Sequence, residues 1–279
     1  MSLWYKICQL LPFEMFRWEF ICNAFLAILL IAPLFGICST MIVTGKMSFF
    51  SDALGHSAFT GIAIGSILGV MAPTWVAVIF SLLFSALFSL IRSKSNHAAD
   101  TLIGVFSSTA VALGIFVATL GGGSFTKYNK YLIGDILSVT PVQIAVLAGI
   151  LVAVILFWYF ASNKLTLALV YPQLASSRGI PVQVIQGIFT ALIAVIVTLS
   201  ISWVGLLILN SLLILPGASA RNIAKNLRQY HCFSVLIALV CSVCGLIVSY
   251  CWGASSGAAI SLCLSVTFAI TLLFQKRRR

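Results

Sequence analysis

Apolar residues in this chain fall in long runs rather than in strict alternation or a narrow helical stripe. Nine runs stand out, at 20–43, 54–72, 75–91, 101–120, 142–161, 182–201, 204–216, 233–252 and 256–274. Most approach the roughly 20 residues a helix needs to cross a bilayer. The run 204–216 is too short to span unaided. With 182–201 it is expected to form a hairpin in which one arm is a half-helix packed against protein. Residues 1–19 mix Trp4, Tyr5, Phe13, Phe16 and Trp18 with Lys6 and Arg17, which suits an interfacial helix or a partial first span. The expected fold is all-α: a polytopic transmembrane bundle of eight to nine spans over 20–279, behind an N-terminal segment 1–19.

Composition narrows the class further. Of 279 residues, 61% are hydrophobic and 8% charged, and the mean hydropathy is +1.15. Soluble domains carry about 25% charged residues, so a soluble enzyme, a disordered regulator and a coiled coil are excluded. The net charge of +11 does not indicate nucleic-acid binding, because the basic residues are scattered between apolar runs. Their distribution instead sets a direction. With the C-terminus cytoplasmic, the inner segments hold Lys46, Arg92, Lys94, Lys164, Arg178, Arg221, Lys225, Arg228 and the tail Lys276-Arg277-Arg278-Arg279, twelve of the sixteen Lys and Arg. That is a positive-inside bias.

The few polar groups near the spans carry the candidate chemistry, since charge there is costly and a functional hypothesis by default. Asp52 and His56, in Ser51-Asp-Ala-Leu-Gly-His56, have the i, i+4 spacing that puts both on one helical face. A carboxylate oxygen beside an imidazole nitrogen suits a borderline divalent cation. A hydrogen-bonded Asp–His pair, or Asp52 capping a helix, fits the same spacing. Asp100 reads as an N-cap. Asp135 reads as a cap, a partner for Lys127 or Lys130, or a group facing an incoming cation. His97 and His231 read as loop residues, solvated or capping. Arg221, Lys225 and Arg228 recur at three- and four-residue spacing, predicting one basic helix over about 217–230 that could meet anionic headgroups or a cytoplasmic partner. Gly61, Gly65 and Gly69 form GxxxGxxxG, a close-packing face within one subunit or between two. The eight cysteines do not form a disulfide framework, and Cys241 and Cys244 lie in mid-span, where a thiol packs as a small hydrophobe. No P-loop, H-E-x-x-H or partnered G-x-S-x-G occurs, and no acidic relay runs through the spans. The pattern is that of a conduit driven from elsewhere.

Five strings in order resemble the membrane permeases of the zinc/manganese/iron class of ATP-binding cassette importers, the bacterial high-affinity zinc uptake permease in particular. They are Met47–Ala58 around Asp52 and His56, Asp100-Thr-Leu-Ile-Gly-Val-Phe-Ser-Ser, Tyr131-Leu-Ile-Gly-Asp135, Val204-Gly-Leu-Leu through Pro216-Gly-Ala-Ser-Ala-Arg221, and Gly245 through Gly257. The resemblance covers about Phe20 to Phe274. It departs from the family pattern at Gly45-Lys46, at Tyr171 and at Trp252-Gly253-Ala-Ser-Ser-Gly257.

The resemblance implies a homodimeric permease in the bacterial inner membrane, working by alternating access. A cytoplasmic ATP-binding cassette ATPase would drive it and an extracytoplasmic metal-binding protein would supply it. Zinc, or else manganese or ferrous iron, would be the transported substrate, with no cofactor held permanently and no enzymatic activity in this chain. Asp52 and His56 match the metal-path positions, and the segment containing Ala218, Arg221, Lys225 and Arg228 matches the ATPase-coupling helix. The charge count puts 44–53 on the cytoplasmic side while the family places the pair within the path. A buried, unwound stretch lining a cavity reconciles the two. A secondary ion-coupled transporter and an intramembrane metalloenzyme are the competing classes.

Overall fold

The computed structural model describes Trp4, Tyr5, Cys8 and residues 14–95, 97–120 and 135–276. The expectations that fall on Lys127, Lys130, Tyr131–Gly134 and Arg277–Arg279 lie outside the described residues. Among the described residues the regular structure is helical: a 3-10 turn at Glu14–Arg17, then α1 (Glu19–Thr44), α2 (Phe50–Ile67), α3 (Pro73–Lys94), α4 (Ala99–Leu120), a 3-10 turn at Ile136–Ser138, α5 (Pro141–Val170), α6 (Pro172–Ser177), α7 (Val182–Val204), α8 (Leu206–Ile223), α9 (Leu227–Trp252) and α10 (Ser256–Lys276). Eight of these, all but α2 and α6, are long and apolar enough to cross a membrane. The protein is a multi-pass, all-α membrane protein.

Several boundaries differ from the sequence expectation, each for a local reason. The run 204–216 is not a half-helix; from Leu206 it belongs to α8, eighteen residues long, which continues through Pro216. Helix α5 continues nine residues past the expected stop at 161 to Val170, because nothing breaks it before Pro172. Tyr171 precedes that proline and leaves the helical region at φ −132°, ψ 71°, as the ring of a following proline demands. The N-terminal segment packs onto α1: Trp4 Nε1 donates to Cys22 O and Tyr5 Oη to Asn23 Oδ1, both at 3.0 Å.

The chain divides into two compact units. One comprises Met1–Thr40, Asp135–Ile155 and Trp203–Arg279; the other comprises Met41–Gly134 and Leu156–Ser202. In the first, α8, α9 and α10 pack on one another, and Ser234 Oγ donates to Gly36 O at 2.6 Å, joining α9 to α1. In the second, α2 packs against α3 and α4. Thirteen of the eighteen residues of α2 are buried, although it is among the more polar helices.

Small residues make that burial possible. A Cβ on Gly61 would sit 2.4 Å from the Cα of Ala77 on α3, and one on Gly65 would sit 3.1 Å from Pro73. The close-packing face is therefore used within the subunit. Gly69 does not belong to it: it lies beyond the end of α2 at φ +68°, with nothing within 4 Å of its Cβ position. Across the α2–α4 seam, Thr60 Oγ1 lies 2.8 Å from Ala110 O and 3.0 Å from His56 O, a shared donor that joins the two helices. On the α3 side, the Ser57 and Ser81 hydroxyls pair at 3.0 Å.

Gly61→Ala is expected to destabilise the protein by about 1–3 kcal/mol, the usual range for overpacking, because the nearest atom is backbone and cannot swing aside. Gly104→Ala on α4, with nothing within 4 Å, is expected to be neutral or to raise stability by up to about 1 kcal/mol. Thermal unfolding of the detergent-solubilised chain measures both.

Candidate metal path and coupling elbow

Helix α2 begins after a tight turn. Gly45 N donates to Met41 O at 2.8 Å and Met47 N to Ile42 O at 3.0 Å, with Lys46 in the left-handed region at φ 53°. Arg92, in the last turn of α3, holds this turn by donating to Gly45 O at 3.3 Å and to Met47 Sδ at 2.8 Å. Asp52 therefore falls in the first turn of α2, where the helix dipole favours a negative charge. It is not the N-cap, which is Phe49, with no side-chain capping bond.

From Phe50 to Ala63 every residue is buried except Asp52 and His56. The structure brings the two together: His56 Nε2 lies 3.5 Å from Asp52 Oδ2, with the side chains 27% and 39% exposed respectively. Two donors on a tetrahedral ion at about 2.0–2.2 Å each are separated by about 3.4 Å, so the pair has the spacing of two ligands on one cation. The charge-assisted His–Asp contact is the same geometry without an ion. Among the described residues no cluster of three or more His, Cys, Asp or Glu could hold a metal ion. Two protein donors make half a site, and a sparse ligand set suits an ion that must be released. Ser51, next to Asp52, is fully buried, with its hydroxyl unpaired among the described residues.

The remaining candidates sort by position. Asp100 lies inside the first turn of α4 rather than at its N-cap. Asp135 caps the 3-10 turn, Oδ1 accepting from Leu137 N at 3.0 Å. His97 is exposed in the connection before α4. His231 is not a loop residue; it lies in the second turn of α9, its Nδ1 2.8 Å from Thr40 Oγ1 on α1. Thr40 Oγ1 also lies 2.7 Å from Ile37 O and spends its one proton there, so Nδ1 of His231 is the donor. Cys241 on α9 is buried against Thr267 on α10, Sγ to Oγ1 3.1 Å, as expected of a packed thiol, whereas Cys244, also on α9, is exposed.

The segment 217–230 does not form the single basic helix expected. Residues 217–223 complete α8, residues 224–226 turn, and Leu227 opens α9. Asn226 caps α9, its Oδ1 accepting from Gln229 N at 2.8 Å, while Gln229 Oε1 accepts from Lys225 N at 3.0 Å. The sequence does carry this signal: a capping residue followed three positions later by Gln marks a helix start, and it outweighs the basic periodicity. Arg221, Lys225 and Arg228 are all exposed on this elbow, and Ala218 is half-buried.

Both arms of the elbow are fastened to one spot on α1. Pro216 has no N–H, so α8 is locally weakened. There the Gly217 N–H donates to Ser39 Oγ at 2.8 Å, and Ser39 Oγ donates to Ile214 O at 3.4 Å. A Cβ on Gly217 would lie 2.6 Å from Ser39 Oγ, so only glycine admits the contact. On the other arm Tyr230 Oη donates to Thr40 O at 3.1 Å, beside the His231–Thr40 bond. Ser39→Ala removes a buried acceptor of the Gly217 N–H and is expected to cost about 1–3 kcal/mol. Ser93→Ala, whose hydroxyl bonds only within its own exposed turn, is the neutral control in the same thermal assay.

Comparison with known proteins agrees in extent with this architecture. The family described as the ABC 3 transport family matches residues 17–275. The zinc uptake membrane protein ZnuB of Haemophilus influenzae is 28% identical over 89% of this chain and 94% of its own length. The manganese transport membrane protein MntC of Halalkalibacterium halodurans is 25% identical over 95% and 90%. The solved structure of PsaBC from Streptococcus pneumoniae in complex with Fab superposes with a TM-score of 0.78 at 26% identity, covering the whole of both chains.

Proposed function

The chain belongs to the ABC 3 transport family, and we propose that within it this protein imports zinc across the bacterial inner membrane. As an ABC-type metal permease subunit it is a transport component rather than an enzyme, and ATP is hydrolysed on a separate subunit. The observation that carries the proposal is the exposure pattern of α2, where Asp52 and His56 alone break an otherwise buried stretch. A carboxylate–imidazole pair at 3.5 Å offers a divalent ion two ligands of borderline character, and imidazole favours zinc over manganese. Two ligands hold the ion transiently and let it leave.

In this reading two permease copies pair and the path opens to one face at a time. An extracytoplasmic metal-binding protein delivers the ion. The elbow at 217–230 meets the ATPase, and the tail Lys276–Arg279 keeps the C-terminus cytoplasmic by the positive-inside rule. Exposed Arg221, Lys225 and Arg228 are the contact charges, and Ala218 lies on the α8 arm behind them. A manganese substrate is the second reading, favoured by the manganese-system names among the relatives.

Metal uptake in proteoliposomes, with the chain reconstituted beside its ATPase, tests the proposal. ATP-dependent Zn²⁺ uptake is expected to exceed Mn²⁺ and Fe²⁺ uptake. Asp52→Ala and His56→Ala are each expected to lower it by about tenfold or more, since losing even an outer-shell partner of a metal site costs about 10–100-fold in affinity or activity. Normal uptake in both variants would make the pair structural. Preferential Mn²⁺ uptake would replace the metal and keep the site. Replacing Arg221, Lys225 and Arg228 together with Gln is expected to weaken ATPase association while leaving metal binding to the permease intact, read by co-purification.

A further inference from the structure

A second polar site lies away from Asp52 and His56. A cavity of about 320 Å³ opens among α3, α5, α6 and α7, lined by Ser89, Arg92, Leu169, Gln183, Gln186 and Thr190, among others. Its volume is at the lower end of the range for small-ligand sites, about 300–1,000 Å³. The cation in it is Arg92, half-buried in the last turn of α3. Its guanidinium has five N–H donors, and the contacts it makes are to a backbone carbonyl and a thioether. Neither is anionic.

A partly desolvated guanidinium calls for a counter-ion, and no carboxylate pairs with it among the described residues. None of the four helices around the cavity contains Asp or Glu, and the ion pair found among the described residues is Asp52–His56. Ser89 and Gln183 add a hydroxyl and an amide to the same wall. The other side of the lining, including Phe88, Leu169 and Val182, is apolar. A site with one fork-shaped cation, neutral donors and an apolar wall fits a phosphate group carried on a partly apolar molecule.

Depth selects the source. Arg92 is two residues from the end of α3, about 3 Å along the helix axis at 1.5 Å per residue. That is the level of the headgroups at the end of a span rather than the hydrocarbon. Basic pockets between spans at that level bind anionic headgroups. We infer that the cavity around Arg92 is a binding site for the phosphate of an anionic phospholipid headgroup, with the lipid glycerol against Leu169 and Val182. The bound lipid would neutralise the residue that clamps the Gly45–Met47 turn ahead of α2.

Native mass spectrometry of the full chain, with phosphatidylglycerol, chain-matched phosphatidylcholine and inorganic phosphate added separately, tests this. Phosphatidylglycerol is expected to be retained over phosphatidylcholine. Arg92→Gln is expected to weaken that retention by about tenfold or more, the loss of one charge-assisted contact, and Arg92→Lys to weaken it less. Lys94→Gln, two positions along and outside this cavity, is expected to change it by less than about twofold, as for an exposed charge. Gln183 is exposed, so Gln183→Trp fills the cavity mouth without disturbing the fold and is expected to reduce retention with Arg92 intact. Equal loss in Lys94→Gln, unchanged retention in Arg92→Gln and Gln183→Trp, or equal retention of phosphatidylcholine would overturn the site. Arg92-dependent binding of inorganic phosphate without phosphatidylglycerol would overturn the lipid assignment.

Discussion

A helix that brings a carboxylate and an imidazole into an apolar bundle must be enclosed by protein, because lipid offers its polar groups nothing. Helix α2 meets this demand through the approach of its backbone to α3. At Gly61 the two helices are so close that a single added Cβ would stand 2.4 Å from the Ala77 backbone. At that separation dispersion contacts are dense, and hydroxyls such as Ser57, Ser81 and Thr60 find partners across the seams. The enclosure then leaves only Asp52 and His56 open along the first fourteen residues of the helix. Their availability is a consequence of how completely everything around them is packed.

The same economy governs the other unit. Pro216 removes one bond from the α8 ladder, and a side chain from another helix adds polar contacts beside it. Ser39 accepts from Gly217 and donates toward Ile214, and its neighbour Thr40 receives Tyr230 and His231 from α9. Two consecutive residues of α1 thus anchor both arms of the elbow that carries Arg221, Lys225 and Arg228. A force applied at that elbow has a polar, directional connection into α1 in addition to apolar contact. Hydrogen bonds of this kind resist sliding more than methyl contacts do, because misaligned donors inside a membrane have no water to turn to.

Charge is distributed with the same asymmetry. Sixteen Lys and Arg face five Asp and Glu, and all five acids lie at or before Asp135. Beyond Asp135 the chain carries cations and no acid. Among the described ones, Lys164, Arg178, Arg221, Lys225 and Arg228 are exposed. Arg92, earlier in the chain and partly enclosed at the end of α3, has no anionic partner among the described residues, and it holds the turn that launches α2.

The sequence alone determined the class of the protein and eight of the nine expected spans; the run 54–72 falls on α2, which is not among the helices long and apolar enough to cross. Run length and hydropathy decide both, because the bilayer imposes one length scale and one polarity on every crossing helix. It also singled out Asp52 and His56, since i, i+4 spacing is a property of any helix and needs no tertiary context. Where it failed, the deciding interaction came from elsewhere in the chain. Next to Pro216 the α8 backbone is met by Ser39, 178 residues from Gly217 along the chain, which accepts from the Gly217 N–H. His231 became a helical residue through the Asn226–Gln229 cap and the hydroxyl of Thr40. Gly69 left the expected packing face because its backbone turned left-handed after α2 ended. The tertiary structure alone decided that the Asp–His pair is the open point of a closed helix, because exposure is a property of neighbours and not of residues.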